Sequence, residues 1–426
     1  MTGWLHLSFV CLVLEKAMHN NKKAFQACLN TPRKLFAVSA MALALSTSLV
    51  ASVQAADAVK VGILLPFTGT FAALGEATNN GLKLAIEQQG GTLGGRAVEY
   101  VVVDSEADPG KAVQNMQKLV SGAKVDVVVG PVHSGVGMGA VKVARESGVP
   151  LIIPNAGFNA ATGPLCAANI FRTSFTSWQT AFPMGKVAAD KGYKNIVTVA
   201  WRYGFGTESV DGFKEGFEQA GGKITKEIYL PFPEVEFQSQ LTEIAALKPD
   251  AVFVFFAGGG AAKFVQDYAA AGLKGKIPLL GSGFLTEGTL AAQGQAAEGL
   301  LTTLHYADSL ETEQNAKFRS AYKQQFGKEA DIYAVQGYDT GLLLAQSLQA
   351  VAGDTADRAA WMQAMENARI ASPRGEWTFS KAHNPVQNVY LREVRNGANV
   401  VVDVAREKLS DPAPGCKLAQ VAANAR

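Results

Sequence analysis

Ser134 and the turn Asn155-Ala156-Gly157 each stand just past a short apolar run that ends in Gly or Pro. The first run is Val125-Asp126-Val127-Val128-Val129-Gly130-Pro131-Val132-His133-Ser134-Gly135; the second is Val149-Pro150-Leu151-Ile152-Ile153-Pro154-Asn155-Ala156-Gly157. Each is too short for a helix and reads as a buried parallel strand. Main-chain N–H groups are left unpaired where such a strand ends, and the first run opens into an amphipathic helix over 136–146. Two such ends side by side make a cradle for a small anionic group, favoured by the helix dipole at Ser134. Arg202, at another strand end just before Tyr203, either adds a second contact to a carboxylate or is a solvated arginine on the rim. Of the other polar candidates, His133 reads as packing behind its turn. His305 follows a strand and either faces a cleft or sits at a hinge or on the surface, and Trp178 reads as core or hinge packing.

Catalytic patterns are missing from the sequence. The run Gly135-Val136-Gly137-Met138-Gly139 lacks the spacing of its third glycine that a dinucleotide loop requires. No Gly-Lys-Ser/Thr phosphate loop and no Gly-x-Ser-x-Gly nucleophile elbow occurs. After the leader, His133, His305 and His383 are isolated and offer no metal-ligand spacing. The reading is a binding module with no cofactor, no metal and no reaction of its own.

The elements that must position these residues begin behind a leader. Lys22, Lys23, Arg33 and Lys34 precede the apolar run 35–53, and Val53-Gln54-Ala55 supplies small residues for cleavage, so 1–56 is expected to be a secretory signal peptide. Met18 is the expected start, with 1–17 a mis-assigned extension. Removing 1–56 takes away Lys16, Lys22, Lys23, Arg33 and Lys34 against Glu15 alone, and the net charge moves from +2 to −2. Such a balance gives no electrostatic case for nucleic acid. Cys11 and Cys28 leave with the leader; Cys166 and Cys416 remain in an exported chain and are expected to pair.

Beyond the leader, 48% apolar content over a 426-residue chain suffices for two lobes. Strands and helices alternate: strands at 60–65, 97–103, 125–129 and 150–153, with helices at 73–89, 109–121 and after Ser134. After Phe171-Arg172-Thr173-Ser174 the pattern restarts, with strands at 195–200, 223–229, 251–256 and 277–281 and helices at 178–191, 207–220, 237–247 and 261–271. This alternation predicts an α/β chain with two doubly wound parallel-sheet lobes. A strand at 299–304, helices at 311–326 and 332–350 and a last strand at 388–394 imply three crossover segments. The first lobe is then 57–174 plus 305–376, the second 175–304 plus 377–405, and 406–426 is a tail.

Several motifs, in order, resemble the leucine/isoleucine/valine-type periplasmic binding proteins. They are Val61-Gly62-Ile63-Leu64-Leu65-Pro66-Phe67-Thr68-Gly69, Gly130-Pro131-Val132-His133-Ser134, Tyr203-Gly204-Phe205-Gly206, Ala270-Ala271-Gly272-Leu273 and Ala297-Glu298-Gly299-Leu300-Leu301. The resemblance covers about 57–405 and implies a type I periplasmic-binding-protein fold in the periplasm. It also implies capture of a solute between closing lobes and delivery to an inner-membrane ABC permease; a monomer is expected. Ser134 matches the serine that binds the ligand's carboxylate, and Asn155, Ala156 and Gly157 match the next turn, with Gly157 where the family has a threonine. Phe205 stands in place of a tyrosine over the ligand, with Tyr203 two residues before it. Tyr333 matches an aromatic wall residue, Leu74 replaces an aromatic near the mouth, and Phe284 is expected to close over the ligand. Gly260 occupies the position of the acid that pairs with an amino acid's ammonium group. An unpaired buried ammonium costs several kcal/mol, so the expected ligand is a carboxylate that is not an amino acid, an aromatic acid first. Segments such as Phe171-Arg172-Thr173-Ser174-Phe175 and Gly281-Ser282-Gly283-Phe284-Leu285 also look like relatives that bind aromatic acids. The alternatives are a branched-chain amino acid, with Glu287 as the substitute acid, or an amide- or urea-type sensor of the same fold.

Overall fold

The computed structural model describes residues 57–419. The leader and its start therefore lie outside the described residues, as do the last seven positions of the tail. Two sheets organise the chain. The first comprises β1 (Val59–Leu65), β2 (Thr92–Leu93), β3 (Arg96–Asp104), β4 (Val127–Val129), β5 (Leu151–Ile153) and β6 (Ile170–Arg172) in the order β2-β3-β1-β4-β5-β6. The second comprises β7 (Asn195–Arg202), β8 (Lys223–Pro231), β9 (Ala251–Phe255), β10 (Leu279–Ser282), β11 (Leu301–Leu304), β12 (Thr378–Phe379), β13 (Pro385–Arg395) and β14 (Ala398–Leu409). Its order is β12-β13-β11-β10-β9-β7-β8, with β14 paired to β13. The helices are α1 (Ala72–Gln88), α2 (Ala112–Gln117), α3 (Ser134–Ser147), α4 (Ser177–Asp190), α5 (Gly204–Gln219), α6 (Gln238–Leu247), α7 (Gly258–Ala270), α8 (Leu290–Gln293), α9 (Glu313–Phe326), α10 (Ile332–Ala350) and α11 (Arg358–Glu366).

The central strands β4, β5 and β9 are buried along their whole length. That is the signature of parallel strands covered by helices on both faces, and it explains why their sequences are unbroken Val, Ile and Phe runs. In the first sheet β1 pairs in parallel with β3 and β4, and β4 with β5, so the turns after β4 and β5 emerge side by side at one edge. The chain makes three crossings: it leaves the first sheet for the second over 173–176, returns over 305–312 to helices of which α10 packs on α1 beside the first sheet, and goes back to the second sheet over 367–377. Arg374 on the third crossing ties them together: its Nε donates to Asp339 on α10 at 2.7 Å and its Nη2 to the carbonyl of Thr173 on the first crossing at 2.6 Å.

Helix α10 sits close against α1. A Cβ on Gly81 would lie 1.9 Å from the Ala334 carbonyl, and one on Gly337 would lie 1.8 Å from that of Thr78. Only glycine permits this approach, and it fixes the first turns of α10, which carry Tyr333 and Gln336.

Three sequence expectations need correction. The helix at 109–121 is a 3-10 turn at Pro109–Lys111, the short α2, and a π turn at Lys118–Gly122. The second sheet is not purely parallel, because β13 runs antiparallel to β11 and to β14. Its last strand reaches Leu409, beyond residue 405, because an edge strand with much of its length exposed reads as polar tail. A disulfide joins Cys166 to Cys416 (Cα–Cα 5.5 Å). Among the described residues no helix is long and apolar enough to cross a membrane.

Candidate functional site

The site grows from the turn after β4. His133 is the N-cap of α3, and its Nδ1 accepts the Gly135 N–H at 3.0 Å. That fixes the neutral tautomer with the proton on Nε2, and burial pushes its pKa down to about 4. The N–H of the second residue of the helix is thereby consumed by a side chain. The Ser134 hydroxyl beside it is 1% exposed and without a hydrogen-bond partner among the described residues, at the positive end of the α3 dipole.

The turn after β5 contributes differently from the sequence reading. The Ala156 N–H donates to the Pro131 carbonyl at 3.0 Å, binding the two turns to each other and leaving that amide unavailable to a ligand. The Ala156 and Phe158 carbonyls accept from the buried guanidinium of Arg172. Asn155 gives its Nδ2 to Gln336 Oε1 at 2.7 Å, which turns the Gln336 amide so that its buried Nε2 has no partner. At Gly157 a Cβ would meet Phe175 Cε2 at 2.8 Å and Ser177 Oγ at 2.9 Å. Phe175 thus fills the space a threonine side chain would need. Of the expected cradle, the Ala156 amide is spent within the protein, and the Ser134 hydroxyl stands at a helix end while Asn155 aims the Gln336 amide.

Aromatic rings close the other sides. Phe175, on the first crossing, lies 4.8 Å from Phe284, 5.5 Å from Phe205 and 5.4 Å from the His305 imidazole. Phe205 also packs on Phe255 at 4.2 Å, and Phe284 lies 6.0 Å from Tyr333. All of these rings are buried. Tyr333 has an unpartnered hydroxyl and His305 two unpartnered ring nitrogens. Buried polar atoms are nearly always hydrogen-bonded, and these three stand without partners against the aromatic rings.

Tyr203 caps α5 and stacks on His133 at 4.7 Å, and a Cβ on Gly204 would be 3.2 Å from Ser134 Cβ. Glu208 of α5 accepts the Asn159 N–H at 2.8 Å. Residues of the second sheet's lobe therefore lie directly on those of the first, in a closed arrangement. Arg202 is not among them: it is exposed, with its guanidinium 5.0 Å from the Tyr229 ring on the outer face. Leu74 is buried near Gly258. Trp178 hydrogen-bonds Glu215 through Nε1 and stacks on Phe182.

Gly260 has a definite physical reason. A Cβ there would be 2.3 Å from Trp201 Cζ2 and 2.4 Å from Cη2, so the indole occupies the volume an acidic side chain would take. Glu287 is no substitute. It is ion-paired with Arg392, accepts from Asn399 Nδ2 at 3.3 Å and from the Ile332 N–H at 3.3 Å, and burial raises its pKa. Asp339 is held by Arg374, and Asp331 caps α10 through the Ala334 N–H at 3.0 Å. Among the described residues no three His, Cys, Asp or Glu side chains gather to hold a metal ion.

Residues 58–399 match the family model described as periplasmic binding protein. The chain belongs to this family. This periplasmic binding protein is 33% identical over 370 residues to a Leu/Ile/Val-binding protein homolog of Brucella abortus, covering 85% of this chain and 93% of that one. It is similar to the solute-binding protein of an ABC transporter from R. palustris in complex with benzoate (49% identity, TM-score 0.83, 84% of this chain and 99% of that one). A second such protein, from Rhodopseudomonas palustris BisB5 with 3,4-dihydroxybenzoic acid, is 32% identical over the same shares, with a TM-score of 0.79. The two-sheet architecture is the type I periplasmic binding protein fold.

The sequence pointed to Phe175 only as the end of the segment Phe171-Arg172-Thr173-Ser174-Phe175, and its packing into the space beside Gly157 became visible in the fold. Gln336 stands three residues after Tyr333 on one helix and shares that residue's face, a spacing that the sequence offered and the reading did not use.

Proposed function

We propose that this periplasmic binding protein captures a small aromatic carboxylate between its lobes and passes it to the inner-membrane permease of an ABC importer. The carrying observation is the box of Phe175, Phe205, Phe284 and Tyr333, edged by unpartnered donors at Ser134, Tyr333 and Gln336. These rings touch one another at 4.8–6.0 Å and form a continuous aromatic wall, and a flat ring packs against that wall. The carboxylate finds the Ser134 hydroxyl and the α3 dipole on one side and the Gln336 amide on the other. The ligands named for the two R. palustris neighbours support the same class.

An amino acid would bring an ammonium group as well. Trp201 fills the space beside Gly260, and Glu287 and Asp339 are bound to arginines. A buried charge left without a partner costs several kcal/mol, and each 1.4 kcal/mol is tenfold in affinity. Export into the periplasm by a cleaved leader belongs to this reading. So does closure about the three crossings, which expels water and presents a closed outer surface to the permease.

Isothermal titration of the purified exported protein against benzoate, leucine and acetamide tests it. The expected result is benzoate binding at least a hundredfold tighter than leucine or acetamide. Tight leucine binding with none for aromatic acids would overturn it.

A further inference from the structure

We propose that His305 reads a hydroxyl group on the ring of the bound acid, so that the pocket prefers hydroxylated aromatic carboxylates to the unsubstituted one. This rests on the aromatic-carboxylate reading above and adds a residue that sets specificity within it.

His305 leaves β11 on the second crossing and is 1% exposed. Its imidazole stacks on Phe175 at 5.4 Å and 27° between planes, so it continues the aromatic wall. Neither Nδ1 nor Nε2 has a hydrogen-bond partner among the described residues. His383 shows what a structural histidine does in the same chain: its Nδ1 lies 2.9 Å from the Ile170 carbonyl and its Nε2 3.0 Å from Glu366. A histidine kept only to pack would be the costlier choice beside Phe175, since both its polar atoms go unmet.

Burial, with the Arg374 and Arg392 charges nearby, keeps the imidazole neutral. A neutral imidazole presents one N–H donor and one lone-pair acceptor. A carboxylate accepts only and can use just one of the two. A phenolic hydroxyl both donates and accepts, so it can satisfy either edge of the ring. The anion has its own donors on α3 and α10, from Ser134, Tyr333 and Gln336, whereas His305 comes from a separate element. The two polar ends of a hydroxylated aromatic acid are thus served by different parts of the chain. A site that hydrogen-bonds a ligand hydroxyl rejects the analogue lacking it, because its own buried polar group is then left unpaired.

The test is titration of the exported protein with benzoate, 3-hydroxybenzoate and 4-hydroxybenzoate, for the wild type, His305→Phe and His305→Asn. His305→Phe keeps a stacking ring and removes both nitrogens; His305→Asn keeps a donor and an acceptor. The expected result is a wild-type preference of at least tenfold for one hydroxybenzoate over benzoate. That ratio falls to within threefold in His305→Phe and is partly retained in His305→Asn. A wild type that binds benzoate at least as tightly, or a ratio unmoved in His305→Phe, overturns the proposal. Should circular dichroism show His305→Phe unfolded, the ratio in His305→Asn decides, and a ratio unmoved with its polar atoms displaced overturns the proposal. Loss of all aromatic-acid binding in the wild type, with leucine bound instead, would sink the underlying reading, a different outcome from a failed ratio.

Discussion

Gly260 shows how a single residue reports on a ligand. Read as sequence, it is the place where an acid is missing. In the structure the missing side chain is replaced by Trp201, whose ring carbons come within 2.3 Å of where a Cβ would be and whose Nε1 is anchored to the Glu234 carbonyl at 2.7 Å. The absence of charge is therefore built in by a packed neighbour, and restoring an acid does not restore an amino-acid site. Overpacking of this kind costs roughly 1–3 kcal/mol or more. Gly260→Glu is expected to lower the thermal midpoint of the ligand-free protein and to gain no leucine binding. A variant that melts like the wild type and binds leucine would refute this account. The place of Ser134, at the start of a helix just past a strand, was legible from the apolar run and the turn residues around it. The roles of Ala156 and Asn155 were not, because they depend on partners, Pro131 and Gln336, that only the fold brings near.

At the scale of elements, the alternation of strands and helices was readable almost throughout, since parallel strands buried on both faces advertise themselves as continuous apolar runs. The broken helix at 109–122 was not, because its 3-10, α and π turns are each too short for their different periods to show in the sequence. The edge strand β14 was hidden by its exposed charged residues. The contact of α5 with the turn after β5 was equally invisible, yet it carries a pH dependence. Glu208 on α5 accepts the Asn159 N–H across the closed lobes, and burial there lifts its pKa from 4.5 to about 7, despite that bond and the Arg172 charge. When the lobes separate, Glu208 faces water and returns toward its ordinary value. The closed form then holds the proton more tightly than the open form, so closing takes up a proton between these values. Ligand affinity is expected to be greatest on the acid side, to fall as pH rises toward about 7, and to level off above it, with a slope of at most tenfold per pH unit. The ligand carboxylate stays ionised over most of this range. Titrations between pH 5 and 8 check it: Glu208→Gln is expected to flatten the profile, and a flat wild-type profile would remove Glu208 from the closing equilibrium.

Across the whole molecule, the last segment of the chain makes a fourth connection between the lobes. After β14 leaves the second sheet, the chain returns to the loop between β5 and β6 of the first. There Cys416 bonds Cys166, 250 residues earlier in sequence. Asp411 on the way accepts from the Thr176 hydroxyl at the first crossing, and Ala413 and Cys416 are buried against Ala382. The pairing was expected from the two cysteines that lie beyond the expected leader, but its place was not, because the path of residues 410–416 depends on where β14 ends. A crosslink acts chiefly by restricting the unfolded chain, and the effect grows with the loop it closes. For so long a loop the chain-entropy estimate is about 5 kcal/mol, and removal of native disulfides typically costs about 2–5 kcal/mol. The double variant Cys166→Ser, Cys416→Ser is expected to lose stability of that order in urea unfolding. A reducing agent should shift the wild-type midpoint the same way and leave the variant where it was. The comparison isolates the crosslink, because the reduced wild type and the variant differ only in two sulfur atoms. A wild-type midpoint indifferent to reductant would mean that the tail is held by Asp411 and its apolar contacts alone.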